Sequence, residues 1–509
     1  MSFPTSISGA IQRSHTLAAP SSVSRDTGIT TAFQVFGYIV FTILITLVMG
    51  RAGAMASCVL LTLSVIYCAA MKSNSTIPFF LCYLALEGLY KYTSSFSSAV
   101  YAIKPTLEFV LLAALVQSNR QTNTSMKMPP LAVLIGMFGG WAAVEVFHPL
   151  GCGITGGVAQ LIVWYAAPIS LLWTGYNSVR SVKQVETICY TILTISVVVS
   201  VFAAVQFQMG QAWTEAHLPG YATINQGEWW VTNNLGGILA TSWRPASTTV
   251  AGGGGGIWAI WGGAIGIAFL MSRRINLLWK CLIVASIAIN AYGVIVSGCR
   301  LFLFAGMFEV MVLFVVLART PREFARSLIM LGVASIMVWV GFSSAQSFSG
   351  GLIGNRYDKT LANPLAKYNQ DRGGLERAEW LLMMLEQYPF GVGYERGTGG
   401  GSDRDDTGVA IARDDAFNSV SGDMGWPGLL FGIAIFLSII ARSWGSFRAL
   451  KSERVRLVGA VFLAIMMGYI VNFFGGPTLN GGDTLWLLFA FMLAMPLVQQ
   501  YERNRQTVQ

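Results

Sequence analysis

Charged residues are scarce in this chain. Only 11% of its 509 residues are Asp, Glu, Lys or Arg, whereas 54% are hydrophobic. Soluble domains carry about 25% charged residues, so the composition excludes an ordinary soluble globular protein. The net charge of +9 does not indicate nucleic-acid binding either, because the basic residues are spread over short connections between apolar runs.

Histidine and cysteine are too few and too scattered to form the usual metal or disulfide patterns. The chain has three histidines, His15, His148 and His217, and seven cysteines that lie in or beside apolar runs without any CxxC pair. This pattern indicates neither a zinc site nor a disulfide framework, and three histidines nearly exclude a His-rich metal centre. We therefore predict no metal and no cofactor.

Long apolar runs are what the sequence has instead. Each is close to the ~20 residues that a helix needs to cross ~30 Å of hydrocarbon. We predict an all-α polytopic membrane protein with about fourteen transmembrane helices and no internal repeat at a fixed period. The strong runs are 33–50, 54–71, 131–147, 157–175, 186–206, 277–297, 301–318, 327–343, 424–441, 457–474 and 484–500, and the weaker ones are 77–92, 98–117 and 255–271.

The positions of the basic residues predict the orientation of these helices. They fall in alternate short connections, which the positive-inside rule places in the cytoplasm. Both termini are then cytoplasmic, with tails at 1–31 and 501–509, and no cleavable signal pattern follows the first tail. The basic residues concerned are Arg120, Lys127, Arg180, Lys183, Arg273, Arg274, Arg319, Arg322, Arg326, Arg448, Lys451, Arg454 and Arg456.

Two long segments would then face outward, 211–254 and 344–423. They separate an N-terminal bundle (32–210), a set of helices containing a turn at Arg300 (255–343) and C-terminal helices (424–500). At about 80 residues, the second segment is too long to be a bare connector. Within it, the pattern of residues 373–393 predicts an amphipathic helix. Pro389 stops this helix, and a turn follows at Gly391 and Gly393. Its predicted apolar stripe is Leu375, Ala378, Leu382 and Leu385.

Four arginines from separate segments are candidates to bind an anion at the outer surface: Arg244, Arg300, Arg372 and Arg377. Arginine makes planar, bidentate contacts to phosphate and keeps its charge, which suits a lipid-linked diphosphate. Alternatively, each arginine snorkels to the interface or pairs with a nearby carboxylate. Trp380, three residues after Arg377, and Tyr394 in the same outer segment are further substrate-binding candidates.

Acidic residues suggest several roles. In the outer segment, Asp414 or Asp415 could take a proton from an attacking hydroxyl, whereas Asp423 is predicted to cap the next helix. The acids of a glycine-rich loop, Asp403, Asp405 and Asp406, are predicted to be solvated. Four glutamates lie within apolar runs: Glu87, Glu108, Glu145 and Glu309. They mark an ion pathway, or they are neutral, or they pair with arginines of other spans.

The glycine run 252–256 is either an anion nest or, as we favour, a site of close helix packing.

Three motifs together resemble the O-antigen ligase/polymerase family of bacterial surface-polysaccharide glycosyltransferases. "VSGCRLFLFAGM" looks like the family's Ser-x-Ser-Arg turn, with Cys299 in place of the second Ser. "DRGGLERAEWLLMMLEQYPFGVGYE" looks like its Arg, Trp and Pro-x-Gly-x-Gly pattern. "DDAFNSVSGDMGWPGLL" looks like its His-Asn-x-Tyr-Leu and Glu-x-Gly-x-x-Gly pattern, and "SWRPAST" is a fainter match. These motifs cover residues 240–430, and the first 200 residues match only in being helical.

The resemblance implies an inverting, metal-independent glycosyl transfer on the periplasmic side of the bacterial inner membrane. Donor and acceptor would be oligosaccharide repeat units linked to undecaprenyl diphosphate, with a flippase and a chain-length co-polymerase as further partners. Arg300, Arg377 and Arg244 would bind the diphosphate. Asp414, or Asp415 as the fallback, would orient or deprotonate the acceptor hydroxyl.

The chain departs from the family pattern at the residue expected to act as the base. The family's His-Asn falls on Asp414 and Asp415, its Tyr on Phe417 and its Glu on Asp423. This difference favours a polymerase over a ligase that transfers finished glycan to a lipid or protein. If a histidine is needed, only His148 or His217 could supply it. A flippase is the rival outside the family, but it would have a pseudo-repeat and short loops on both faces.

Overall fold

The computed structural model describes residues 27–123, 125–221, 245–249, 254–272, 276–318, 321–348, 374–394, 415–476, 479 and 482–508. Within these ranges the chain is helical and forms no β-strand, which confirms the predicted all-α class. Nine helices in this part of the chain are long and apolar enough to cross a membrane. The chain is therefore a multi-pass helical membrane protein.

Sixteen α-helices, numbered in chain order, make up the described structure, together with a 3-10 turn at Glu145–Phe147 and a π-helical stretch at Leu161–Ala166. They are α1 Thr27–Ala70, α2 Thr76–Thr93, α3 Ser98–Gln121, α4 Ala132–Val144, α5 Gly153–Gln160, α6 Ala167–Ser178, α7 Val182–Met209, α8 Gln211–His217, α9 Gly255–Met271, α10 Leu277–Val296, α11 Arg300–Leu317, α12 Pro321–Phe348, α13 Gly374–Gln387, α14 Ala416–Arg448, α15 Glu453–Phe473 and α16 Asp483–Val508.

Helix α1 folds back on itself at Gly50, where the backbone has a positive φ of 56°. The Tyr38 hydroxyl donates a hydrogen bond to the Ser57 carbonyl, 19 residues further along. A straight helix would separate these residues by about 28 Å, so the two arms of α1 must be antiparallel. The arms correspond to the predicted apolar runs 33–50 and 54–71.

Helix α14 has a second break of the same kind, at Gly425, with a φ of 61°. The rings of Phe417 and Phe436 are 5.6 Å apart, although a straight helix would separate them by about 28 Å. The short arm Ala416–Met424 is therefore folded against the long arm. The prediction of a span that begins at Met424 misses this short arm.

Short connections meet at two opposite ends of the bundle. At one end Arg180 bonds to Asn119 (3.1 Å) and Arg454 pairs with Glu186. We call this end the basic face; it comprises the connections 71–75, 122–131, 179–181 and 449–452. The opposite end, the loop face, comprises 94–97, 148–152, 218–221, 245–249, 297–299, 388–394 and 474–476. The basic residues described at the first end thus lie in alternate connections, as the sequence indicates.

The amphipathic helix predicted in the segment 344–423 is present, but the half of its apolar stripe that the structure describes is turned relative to the prediction; the side chains of Leu375 and Ala378 lie outside that description. It ends at Gln387, before Pro389, and both Gly391 and Gly393 have positive φ, as predicted for a turn. Leu385 is buried, but Leu382, assigned to the same stripe, is 49% exposed. The face that packs against Leu429 of α14 consists of Leu381, Met384, Leu385 and Tyr388. Contacts with α14, which the helical period alone does not reveal, select this face.

Candidate functional site

Arg300 is the first residue of α11 and follows a tight turn at the loop face. The Ser297 hydroxyl oxygen accepts a hydrogen bond from the Cys299 amide (3.2 Å), and Gly298 has a φ of 61°. The N-terminus of α9 lies against this turn, since a Cβ on Gly256 would be 2.9 Å from the Ser297 hydroxyl oxygen. Two helix N-termini and one arginine therefore occupy one corner, an arrangement that attracts anions.

The segment 245–249, which follows Arg244 in the sequence, is inserted between helices. Thr248 accepts a hydrogen bond from the Leu89 amide (3.1 Å) through its carbonyl and donates one to the Ala85 carbonyl (2.6 Å) through its hydroxyl. It thus bonds to two backbone groups of α2 that are four residues apart. Irregular backbone is tolerated at membrane depth only when its polar groups find partners in this way.

Ser247 connects this inserted segment to the Arg300 corner. Its amide donates to the Gln206 side chain (2.7 Å), and its hydroxyl donates to the Val199 carbonyl (2.6 Å). A Cβ on Gly255 would lie 2.9 Å from the Ser247 Cβ. Gly255 and the neighbouring Gly256 thus permit close helix packing, the interpretation favoured for the glycine run. Gly252 and Gly253 of that run, and Arg244 itself, lie outside the described residues.

A second part of the site is built from the Pro389–Tyr394 loop and the break in α14. The Val392 amide donates to the Gly422 carbonyl (2.9 Å), and the Trp426 amide donates to the Pro389 carbonyl (2.9 Å). The contact is so close that a Cβ on Gly425 would lie 2.1 Å from the Pro389 oxygen. Loop and helix break therefore form one interlocked unit.

Asp423 lies in the short arm of α14, buried beneath this loop. It accepts a hydrogen bond from the Tyr165 hydroxyl (2.6 Å), and Tyr165 belongs to the π-helical stretch, a feature often found at functional sites. The predicted capping role of Asp423 is therefore wrong, because the helix starts eight residues earlier. No pattern in the apolar run 157–175 distinguished Tyr165 as its partner.

Tyr394 anchors the loop to the end of α4. Its hydroxyl donates to the Ala142 carbonyl, and its own carbonyl accepts from the Cys152 amide (2.8 Å). Burial raises the pKa of Tyr394, and the nearby Asp423 and Glu145 carboxyls raise it further, so the hydroxyl stays protonated. Tyr394 was predicted to bind substrate, but in this structure its hydroxyl bonds the loop to the Ala142 carbonyl of α4.

Asp415 is the residue that caps α14. Its Oδ1 accepts from the amides of Phe417 (3.0 Å) and Asn418 (2.9 Å), and its Oδ2 accepts from the Asn418 side chain (2.6 Å). A carboxylate engaged in this way is held as a hydrogen-bond acceptor at a helix N-terminus. This role weakens Asp415 as the fallback base, and Asp414 lies outside the described residues.

Asp415 gives the first testable prediction. Asparagine also caps helices well, so Asp415→Asn should keep both thermal stability and activity close to wild type. Alanine cannot accept these hydrogen bonds, and Asp415→Ala should cost about 0.5–2 kcal/mol of stability. Thermal unfolding in detergent measures the effect on stability, and an assay of the glycosyl transfer that the family resemblance implies measures the effect on activity. A stable Asp415→Asn protein without activity would instead identify Asp415 as a base.

The two histidines considered as alternative bases differ in their tautomers. His148 Nδ1 accepts from the Leu150 amide (3.2 Å), so the proton of the neutral ring is on Nε2, and burial lowers the pKa of His148. His217 Nδ1 lies 2.8 Å from the Trp213 carbonyl, so it must donate and leave Nε2 able to accept a proton. The basic nitrogen of His148 is thus engaged by the Leu150 amide, whereas that of His217 is not the one that faces the Trp213 carbonyl.

The turn after α15 lies between Arg300 and Asp415. The Phe474 ring is 5.9 Å from that of Phe417, two residues after Asp415. A Cβ on Gly475 would be 2.6 Å from Leu301, the residue after Arg300. Just before this turn the side-chain amide of Asn472 is buried, and neither its nitrogen nor its oxygen has a hydrogen-bond partner among the described residues. The Arg300 corner and the capped start of α14 therefore flank one turn.

Not all of the four predicted arginines have side chains in the described part of the chain. Arg244 and Arg372 lie beyond the described residues, and for Arg377 and Trp380 only the helical backbone of α13 is described. Within the described ranges, no three His, Cys, Asp or Glu side chains are placed to hold a metal ion. Comparison with known protein families and with curated proteins finds no match for this chain. The family likeness therefore rests on the motifs.

Proposed function

We propose that this protein is a polysaccharide polymerase that joins repeat units carried on undecaprenyl diphosphate. One observation carries the proposal. Motif segments distant in sequence meet at the loop face: the Arg300 turn touches the N-terminus of α9, which touches the segment after Arg244. The Phe474–Gly475 turn then links Arg300 to the capped start of α14. Such an arrangement supports an anion-binding surface around Arg300 at this face.

The proposed topology has fourteen crossings, with the basic face in the bacterial cytoplasm and the loop face in the periplasm. The nine long helices, the second arm of α1 and the helices α2, α4, α9 and α12 make up this number. Positive residues in the basic-face connections support the orientation. Both termini would be cytoplasmic, since α1 begins and α16 ends at the basic face.

The proposed reaction is an inverting transfer. An acceptor hydroxyl oxygen attacks the anomeric carbon of the donor glycan, and a new glycosidic bond forms. The bond from that carbon to the diphosphate oxygen breaks, and undecaprenyl diphosphate leaves. Asp414 takes the hydroxyl proton, with His217 as the alternative base, and Arg300, Arg244 and Arg377 stabilise the charge that develops on the diphosphate. The side-chain amide of Asn472 would bind sugar hydroxyls.

An apolar groove next to Arg300 supports a lipid-linked donor. It has a volume of about 1140 Å³ and is bounded by α9, α10, α11 and α12. Its lining starts at Phe302, two residues after Arg300, and continues down α11 to Ala318, about 24 Å along the helix. A prenyl chain lying in this groove would place its diphosphate at the Arg300 corner.

Blocking this groove gives a second prediction. A Cβ on Gly263 would meet no atom within 4 Å, and Gly263 faces the groove, so Gly263→Leu should fit and fill it. We expect KM for the undecaprenyl donor to rise at least about tenfold, since several methylene contacts are lost. A short-chain prenyl donor should be affected much less. Gly136→Leu, on the lipid-exposed side of α4, is the matched control. Equal KM values for Gly263→Leu and wild type would place the chain elsewhere.

The proposed function is tested by adding synthetic undecaprenyl-diphosphate repeat units to the purified protein in liposomes. A ladder of lengthening products supports a polymerase. A single transfer that requires an added core-like acceptor would indicate a ligase. Movement of the substrate across the bilayer without any new glycosidic bond would identify a flippase and refute glycosyl transfer.

A further inference from the structure

A cluster of five ionisable side chains lies buried near the loop face, apart from the proposed active site. The cluster consists of Glu87 and Lys91 on α2, Lys104 and Glu108 on α3, and Asp483, the first residue of α16. Lys91 is 2.6 Å and Lys104 3.9 Å from Glu87, and Lys104 is 2.8 Å from Asp483. One of the alternatives for such glutamates was pairing with arginines of other spans, but the partners of Glu87 are lysines.

The charges of this cluster do not balance if every group is ionised. Two ammonium groups face three carboxyls, and Glu87 and Asp483 are already paired with the lysines. Glu108 is 0% exposed, and the polar group that meets its carboxyl is another carboxyl, Asp483, with which it can share a hydrogen bond only when one of the two is protonated. It is close enough to Asp483 for the two carboxyls to influence each other. An unpaired buried carboxylate is so costly that the group takes up a proton instead.

We propose that this cluster is a proton-binding site, with Glu108 as the residue that holds the exchangeable proton. The other titratable groups near it are Tyr83 on α2, Tyr101 on α3 and Tyr469 on α15. The Lys91 ammonium lies 4.1 Å from the centre of the Tyr101 ring, towards the loop face. Protons therefore exchange with the compartment at that face, where Lys91 and Tyr101 form the rim.

The proton on Glu108 affects the region around the proposed active site. When it leaves, a third negative charge appears beside Asp483, and the two carboxylates repel each other. Asp483 begins α16 and follows the connection that starts with Phe474 and Gly475, the turn between Arg300 and Asp415. Tyr469 also bonds to Thr484 (2.7 Å), next to Asp483. Loss of the proton would thus loosen the support of this turn, an effect on activity that rests on the proposed function.

The proton site can be tested without any activity assay. The folded protein keeps a proton that a glutamate in the unfolded chain loses near pH 4.3, so the folded state binds more protons above that pH. Stability must then fall as pH rises through the titration of Glu108. We expect the thermal midpoint of the full-length protein in detergent to fall as the pH is raised above about 4.3. In Glu108→Gln, which stays neutral, at least half of that fall should be lost.

Infrared spectroscopy provides a second readout. The wild-type minus Glu108→Gln difference spectrum at neutral pH should contain the carbonyl stretch of a protonated carboxyl, and this band should disappear at alkaline pH. Glu108→Asp, which retains the carboxyl, should restore the band if Glu108→Gln is unstable. Glu186→Gln, which removes a paired carboxylate at the basic face, should leave both readouts unchanged.

Two results would overturn the proposal: a Glu108→Gln protein with the wild-type pH profile, or a wild-type protein without the protonated carboxyl band. Neither measurement depends on glycosyl transfer. A protein that shows the band but makes no product ladder would therefore refute the proposed function and leave the proton site standing. A product ladder without the band would do the opposite.

Discussion

Replacing Arg300 with alanine is expected to reduce the rate of chain elongation on the order of 10²- to 10³-fold, the usual effect of removing one donor from a preorganised anion site. Arg300 begins α11 beside the N-terminus of α9, so the diphosphate would lose its side-chain partner but keep the two helix ends. The ladder assay with synthetic repeat units measures the effect. Thermal unfolding of the same variant separates a loss of binding from a loss of stability.

Two variants separate phosphate binding from a general effect of charge. Arg300→Lys keeps the positive charge but loses the planar fork, so it should recover only part of the rate. Arg51→Ala removes an exposed arginine at the same face, just after the break in α1, and should leave elongation unchanged. If Arg300→Ala elongates as fast as Arg51→Ala, the diphosphate does not bind at this corner.

Hydropathy was sufficient to predict where along the chain the long helices lie. The apolar runs correspond to helical segments, because a stretch in lipid must satisfy its backbone groups internally. The alternation of basic connections predicted which connections share an end of the bundle. Even the break at Gly50 follows from the two separate runs on either side of it. These are local properties, which a single sequence records well.

The contacts that build the candidate site were not predictable, because they join residues far apart in the chain. Tyr165 and Asp423 are 258 positions apart, and nothing in the apolar run 157–175 distinguishes the tyrosine as a partner of Asp423. The capping role was assigned to the wrong aspartate for a related reason: α14 breaks at Gly425 and its first turns fold back, so the helix starts earlier and Asp415 is its cap. The insertion of Thr248 into α2 has no sequence signal at all, since a Thr-rich segment looks like an ordinary loop.

Alanine at Gly425 is expected to have the largest structural effect. Gly425 has a φ of 61° and a ψ of −144°, a region that is essentially restricted to glycine and costs other residues about 1–3 kcal/mol. Its new Cβ would also lie 2.1 Å from the Pro389 carbonyl oxygen, so the loop must move away. We expect a clear fall in the thermal midpoint and loss of elongation, because the Pro389–Tyr394 loop would no longer be held against α14.

The same helix provides the control that makes this prediction sharp. Gly445 also lies in α14, but it is exposed and a Cβ there would meet nothing within 4 Å. Gly445→Ala should be neutral or stabilising by up to about 1 kcal/mol, since alanine favours the helix. Gly391→Ala tests the opposite side of the contact, where the Cβ would lie 2.5 Å from the Asp423 carbonyl oxygen, and should resemble Gly425→Ala. If both variants elongate normally while remaining folded, the interlocked loop is not part of the active site, and the Arg300 corner must act without it.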